Sequence, residues 1–88
     1  MRNKVVRIGR PMFFFEFGGN THKASIEIIA KQVRMGWRFR AKAKCLSEHP
    51  DEAKLDSSRM IYTGPIREIE VRRGTYILHT DGIDYYYL

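Results

Sequence analysis

Hydrophobic and polar residues alternate most regularly between residues 37 and 46. One set of alternate positions is apolar and comprises Trp37, Phe39, Ala41, Ala43 and Cys45. The other set, named the cationic stripe, comprises Arg38, Arg40, Lys42 and Lys44. A period of two predicts a β-strand with one buried face and one solvated face. The solvated face of this strand is entirely cationic.

A helical period precedes this strand. Apolar residues recur at helical spacing and form one stripe, Ile26, Ile29, Ala30 and Val33. The pattern predicts an amphipathic helix over 21–35, with Asn20 or Thr21 as its N-cap and Gly36 at its end. We expect Ile26, Ile29 and Val33 to be buried against Trp37 and Phe39.

Short β-prone stretches make up most of the remaining chain. They are separated by turn signals and span 5–8, 12–17, 60–63, 66–72, 75–80 and 83–88. Asp81-Gly82 is a strong two-residue hairpin signal. The order of elements predicts an α+β fold: an antiparallel-rich sheet of about five to six short strands, with one amphipathic helix packed on one face. No linker or repeat interrupts the chain, so we expect a single compact domain over 1–88.

Composition indicates the class of partner and the cellular compartment. The 88 residues carry a formal charge of +6, which suits a polyanionic partner. The single cysteine, Cys45, excludes an intrachain disulfide and favours a cytoplasmic location. The longest apolar run, residues 12–15, is far too short to span a bilayer, so we expect no membrane association.

Residues that carry chemistry show no catalytic or metal-binding pattern. His22, His49 and His79 are not at metal-ligand spacing, and Cys45 has no cysteine partner. No phosphate-binding glycine loop or nucleophile motif is present. We therefore expect a non-enzymatic protein without a cofactor or metal.

The cationic stripe is the main candidate for function. Four cations at alternate positions of a strand cover about 20 Å, enough to neutralise several phosphates. The competing structural interpretation pairs these cations with Glu68 and Glu70 in a neighbouring strand. Two acids cannot neutralise four bases, so we expect excess positive charge in either case.

Binding of single-stranded nucleic acid also needs exposed aromatic rings on which bases can stack. The candidates are Phe13, Phe15, Tyr76, Tyr85 and Tyr87. Three consecutive tyrosines must place rings on both sides of the last strand, so at least one is expected to be exposed. We assign Tyr85 and Tyr87 to the site, together with the cationic stripe.

These features predict binding to nucleic acid or a nucleoprotein complex. The alternative is a protein-interaction module, such as a small inhibitor or adaptor, that docks the stripe on an acidic patch. The acidic segment 47–58 favours this alternative if it folds over the stripe. The sequence leaves both a monomer and a homodimer open.

A third interpretation comes from the segment 66–87. Its strand, glycine turn, Tyr-Ile-Leu strand, Asp-Gly turn and last strand resemble the sheet of the ribonuclease toxins of toxin–antitoxin pairs. The resemblance implies RNA cleavage, because RNA supplies its own 2′-hydroxyl nucleophile. It covers under a third of the chain, and those toxins usually carry a pair of helices where this pattern predicts one.

Overall fold

The computed structural model describes residues 3–17, 21–47 and 59–88. In these ranges it contains one helix, α1, Ile26–Arg34. The strands are β1 Lys4–Ile8, β2 Met12–Phe15, β3 Thr21–His22, β4 Phe39–Ser47, β5 Met60–Tyr62, β6 Glu68–Arg72, β7 Thr75–His79 and β8 Ile83–Tyr87. The fold is therefore mostly strand, with more and shorter strands than predicted.

The helix starts later than predicted. Ser25 is its N-cap, with an extended backbone and a side chain that accepts a hydrogen bond from the Ile28 amide. Thr21 instead belongs to β3, which pairs with β2, so the predicted start at Thr21 is wrong. Gly36 follows the helix with φ of 102°, a conformation that favours glycine. No helix in the described ranges is long and apolar enough to cross a membrane.

The strands form one mixed sheet, in which hydrogen-bonded neighbours follow the order β3-β2-β4-β1-β8-β7-β6. β4 pairs with both β2 and β1 along one edge and with β5 along the opposite edge. All pairs are antiparallel except β1 with β8. β1 and β2 follow one another along the same edge of β4, separated by Gly9-Arg10-Pro11. Proline cannot donate a ladder hydrogen bond, which fits its place in this break. The β7–β8 hairpin forms at Asp81-Gly82, as predicted, with φ of 87° at Gly82.

The chain between β5 and β6 links distant parts of the sheet. The amides of Thr63 and Ile66 donate to the carbonyls of Ala41 and Phe39 beside β4, at 2.9 and 2.8 Å. The next amide, of Arg67, donates to the carbonyl of His79 at the end of β7, at 2.7 Å. One stretch of chain therefore pairs first with β4 and then with β7.

The core lies where β4, α1 and β6–β8 contribute apolar residues to one cluster. Ile29, Ala30 and Val33 are buried, as is the whole inward row of β4 from Phe39 to Cys45. The helix contacts β6. That it lies on one face of the sheet remains a prediction. Trp37 precedes β4 and is about half exposed, so its predicted burial beneath the helix is wrong.

Candidate functional site

The predicted alternation of β4 is confirmed. Phe39, Ala41, Ala43 and Cys45 are almost fully buried, whereas Arg40 and Lys42 are partly exposed and Lys44 is exposed. Arg38, just before the strand, is also partly exposed and donates through Nη1 to the carbonyl of Trp37 at 3.2 Å. The cationic stripe therefore faces solvent along one side of β4.

The acid beside the stripe is not the one expected. β6 pairs with β7 rather than β4, so the competing interpretation, in which the stripe pairs with Glu68 and Glu70, is wrong. Instead, Glu16 lies next to β4, with its Oε1 3.5 Å from Arg40 Nη2. An ion pair this long at a partly exposed position contributes little to stability. Within the described residues it is the only carboxylate that pairs with the stripe.

Aromatic rings lie on both sides of the stripe. Phe14 of β2 is opposite Arg40, and Tyr62 of β5 is opposite Lys42. The two rings meet edge to face across β4, with centroids 6.3 Å apart. Lys42 places its Nζ 5.5 Å from the centroid of the Tyr62 ring, within the range of a cation–π contact. We call Phe14, Arg40, Lys42 and Tyr62 the basic–aromatic face.

Tyr62 is the most open ring on this face, with 61% of its surface exposed. Phe14 is half-buried. Two exposed methionines extend the apolar surface, Met12 opposite Lys42 and Met60 opposite Lys44. Phe14 and Tyr62 were not among the site residues predicted from the sequence. The signal for Phe14 was its even position in β2, but only the pairing of β2 with β4 decides that this side is open.

Arg40 has a hydrogen-bond donor without a partner among the described residues. Its Nε atom is buried and has no hydrogen-bond partner among the described residues. Buried donors nearly always have a partner, because an unmade hydrogen bond costs about 1–3 kcal/mol. Arg40 therefore keeps one donor that no described residue satisfies.

Tyr85 and Tyr87 do not join this face. Each is only 5% exposed, and both belong to the core, so the predicted exposure of their rings is wrong. The reason is that Tyr85 lies opposite the buried residues Val6 of β1 and Leu78 of β7, so this side of β8 faces the core. Burial raises the pKa of both phenols, and their hydroxyls stay protonated. Tyr86, on the other side of β8, is partly exposed.

The other aromatic candidates are also turned away from the stripe. Phe13 is buried, and Phe15 stacks on Phe39 with centroids 5.0 Å apart. Tyr76 packs against Tyr87, with centroids 5.1 Å apart. Stacking on the open side of β4 therefore depends on Tyr62 and Phe14.

A separate charged cluster occupies β6, β7 and β8. His79 contacts a carboxylate with each ring nitrogen: Nε2 lies 2.6 Å from Glu70 Oε1, and Nδ1 lies 2.9 Å from Asp84 Oδ1. Arg72 Nη2 is 2.7 Å from Glu70 Oε2, and Asn3 donates to Asp84 at 3.0 Å. The sequence showed His79 without partners, because the carboxylates come from neighbouring strands.

Electrostatics favour the charged form of this cluster. Burial lowers the pKa of His79, but the hydrogen bonds with Asp84 and Glu70 outweigh it and raise the pKa above 6.5. The bond from His79 is the main influence on Glu70 and lowers its pKa below 4.5. Both ring nitrogens of His79 are occupied, which suits a structural ion pair better than proton transfer. The described residues contain no group of three or more ligands arranged for a metal.

Two predicted features lie outside the described residues, namely His49 and nearly all of the acidic segment 47–58.

Comparisons with known proteins add no relatives. No protein-family model matches the chain. No curated protein matches it, and neither does any solved structure.

Proposed function

We propose that the chain is a non-enzymatic protein that binds single-stranded nucleic acid on the basic–aromatic face. The backbone of the strand runs along the cationic stripe, where Arg38, Arg40, Lys42 and Lys44 neutralise its phosphates. A base stacks on the Tyr62 ring. The observation that supports this most directly is the exposed Tyr62 ring beside the Lys42 ammonium, at 5.5 Å.

The charge balance supports a polyanionic partner. Glu16 pairs with Arg40 at 3.5 Å, and the other three cations of the stripe have no carboxylate partner among the described residues. Cations that lie this close together on one strand repel each other, and a bound polyanion relieves that repulsion. Oriented cations with an open ring are the combination that sheet surfaces use to bind single strands.

The alternative function is docking on an acidic patch of a partner protein. The exposed methionines, Met12 and Met60, favour it, because methionine suits adaptable protein contacts. The two functions differ in what they require. Nucleic acid needs stacking as well as charge, whereas an acidic protein surface needs charge and apolar contact.

A titration with matched polyanions tests the proposal. Labelled single-stranded oligonucleotides, a duplex and polyglutamate of equal charge are titrated with the protein at low salt, and anisotropy is read. We expect the single strand to bind more tightly than polyglutamate, since only the single strand offers bases for stacking. Equal affinity for polyglutamate favours the protein-docking alternative. RNA that is cleaved by the wild type and spared by His79→Ala contradicts a non-enzymatic function.

A further inference from the structure

A second concavity lies apart from the cationic stripe, between the start of β2, the N-terminus of α1 and the outer ends of β7 and β8. Its volume is about 640 Å³, within the range of small-molecule sites, which is roughly 300–1,000 Å³. Pro11, Phe13, Ile26 and Tyr76 give it apolar walls. The cavity is therefore large enough for a ligand with an apolar body.

Tyr87 marks the polar end of this cavity. It lines the cavity and is 95% buried, being only 5% exposed. Its hydroxyl makes no hydrogen bond with another described residue, and the oxygen is not sealed off, so it can donate to a ligand in the cavity. Burial raises the Tyr87 pKa, so the hydroxyl remains a donor over the physiological range. An acceptor inside the cavity would satisfy it.

The surrounding charges favour an anionic acceptor. The cavity includes the first turn of α1, where the amides of Ile26 and Glu27 have no partner within the helix. Arg10 and Lys23 add two positive charges at the rim, and the Glu27 carboxylate opposes them. Arg10 lowers the Tyr87 pKa and Glu27 raises it, so both charges act at the hydroxyl. These three side chains leave a net charge of +1, in addition to the helix dipole.

We propose that this cavity binds a phosphate monoester with an apolar or aromatic body. The phosphate accepts hydrogen bonds from the first-turn amides and the Tyr87 hydroxyl, and Arg10 and Lys23 neutralise its charge. A phosphate matches these donors better than a carboxylate, because it has three terminal oxygens instead of two and carries the larger charge. The body lies along Phe13 and Tyr76. The site is independent of the basic–aromatic face.

Calorimetry of the whole chain with adenosine 5′-monophosphate, inorganic phosphate and adenosine tests the site. We expect the nucleotide to bind more tightly than either fragment. Tyr87→Phe should weaken nucleotide binding about tenfold or more, since it removes a donor to a charged group. Without ligand, the same variant should melt no lower than the wild type, because the lost hydroxyl had no partner.

Two exposed residues keep the test decisive if Tyr87→Phe fails to fold. Arg10→Gln should weaken nucleotide binding and Glu27→Gln should strengthen it, each severalfold, whereas Lys31→Gln, outside the cavity, should change nothing. The pair Arg40→Glu and Lys42→Glu should leave nucleotide affinity intact, which separates this site from the basic–aromatic face. The proposal is overturned if the nucleotide fails to bind at millimolar concentration. It is also overturned if Tyr87→Phe binds as well as the wild type, or if Glu27→Gln weakens binding.

Discussion

Lys42 and Tyr62 face each other across the β4–β5 ladder, with the Lys42 Nζ 5.5 Å from the centre of the Tyr62 ring. Tyr62 is 61% exposed, so the contact leaves much of the residue open to solvent. A cation beside an open ring can neutralise a phosphate while the ring stacks on the neighbouring base. This relationship makes Tyr62 the best probe for stacking on the face.

Tyr62→Ala should weaken binding of a single-stranded oligonucleotide by about 1–3 kcal/mol, the usual contribution of one stacked base. Tyr62→Phe is the matched control, because it keeps the ring and should keep most of the affinity. Both affinities can be measured by anisotropy at one fixed salt concentration. An alanine variant that binds like the wild type would exclude stacking on this ring.

Helix burial gives a prediction for stability. Ile29→Ala should lower the free energy of unfolding by about 2–5 kcal/mol, because Ile29 is completely buried. Ile28→Ala is the control on the same helix. Ile28 is 52% exposed, and alanine has the higher helix propensity, so the change should be small. Urea unfolding of both variants measures the difference, and similar losses in the two would contradict the described packing.

The His79 cluster predicts how stability depends on pH. The pKa of folded His79 lies above its ordinary value of 6.5, so its stabilising contribution is complete below pH 6.5. That contribution is lost as the pH rises through the raised pKa. The pKa of folded Glu70 lies below 4.5, so its contribution is present above pH 4.5 and is lost as the pH falls through the lowered pKa. The cluster therefore stabilises the fold most between pH 4.5 and 6.5.

Urea unfolding across this pH range, in the wild type and in His79→Gln, checks the prediction. Glutamine keeps a hydrogen-bonding side chain but cannot carry the charge. The variant should lose the decline in stability above pH 6.5 that His79 causes. The difference between the two proteins removes the contributions of the other histidines. Parallel pH profiles would show that His79 is not held as a charged group.

The sequence predicted β4 well because its alternation is set by local composition. Buried apolar residues alternate with cations from Phe39 to Cys45, and only a strand with one buried and one solvated face accommodates both sets. The helical stripe of Ile29 and Val33 was equally informative about burial. Its N-terminus was misplaced because both Thr21 and Ser25 can cap a helix, and the pairing of Thr21 with β2 selects Ser25.

The neighbours of each strand could not be predicted in this way. Tyr85 and Tyr87 are buried because pairing aligns this side of β8 with the buried residues Val6 of β1 and Leu78 of β7, and their own pattern does not contain that pairing. The same holds for Glu16, which replaces Glu68 and Glu70 beside the stripe because β2 pairs with β4 and β6 does not. The alternation of apolar and polar residues identifies the two faces of a strand. Long-range strand pairing decides which residues of other strands lie beside each face.

The most direct test of the proposed function is the salt dependence of single-strand binding in a charge-reversal variant. Arg40→Glu with Lys42→Glu is compared with Lys4→Glu and Arg73→Glu, which change net charge equally at exposed positions away from the stripe. Melting curves confirm that each variant folds, and glutamine at positions 40 and 42 serves if the glutamates destabilise the sheet.

For a single strand, each phosphate contact contributes roughly 0.7 to the slope of log affinity against log salt. We predict that the stripe variant loses measurable binding, that the glutamine version has a slope shallower by roughly 1.4, and that the control keeps the wild-type slope. Equal losses in the stripe variant and the control, or no binding by the wild type at low salt, would contradict the account.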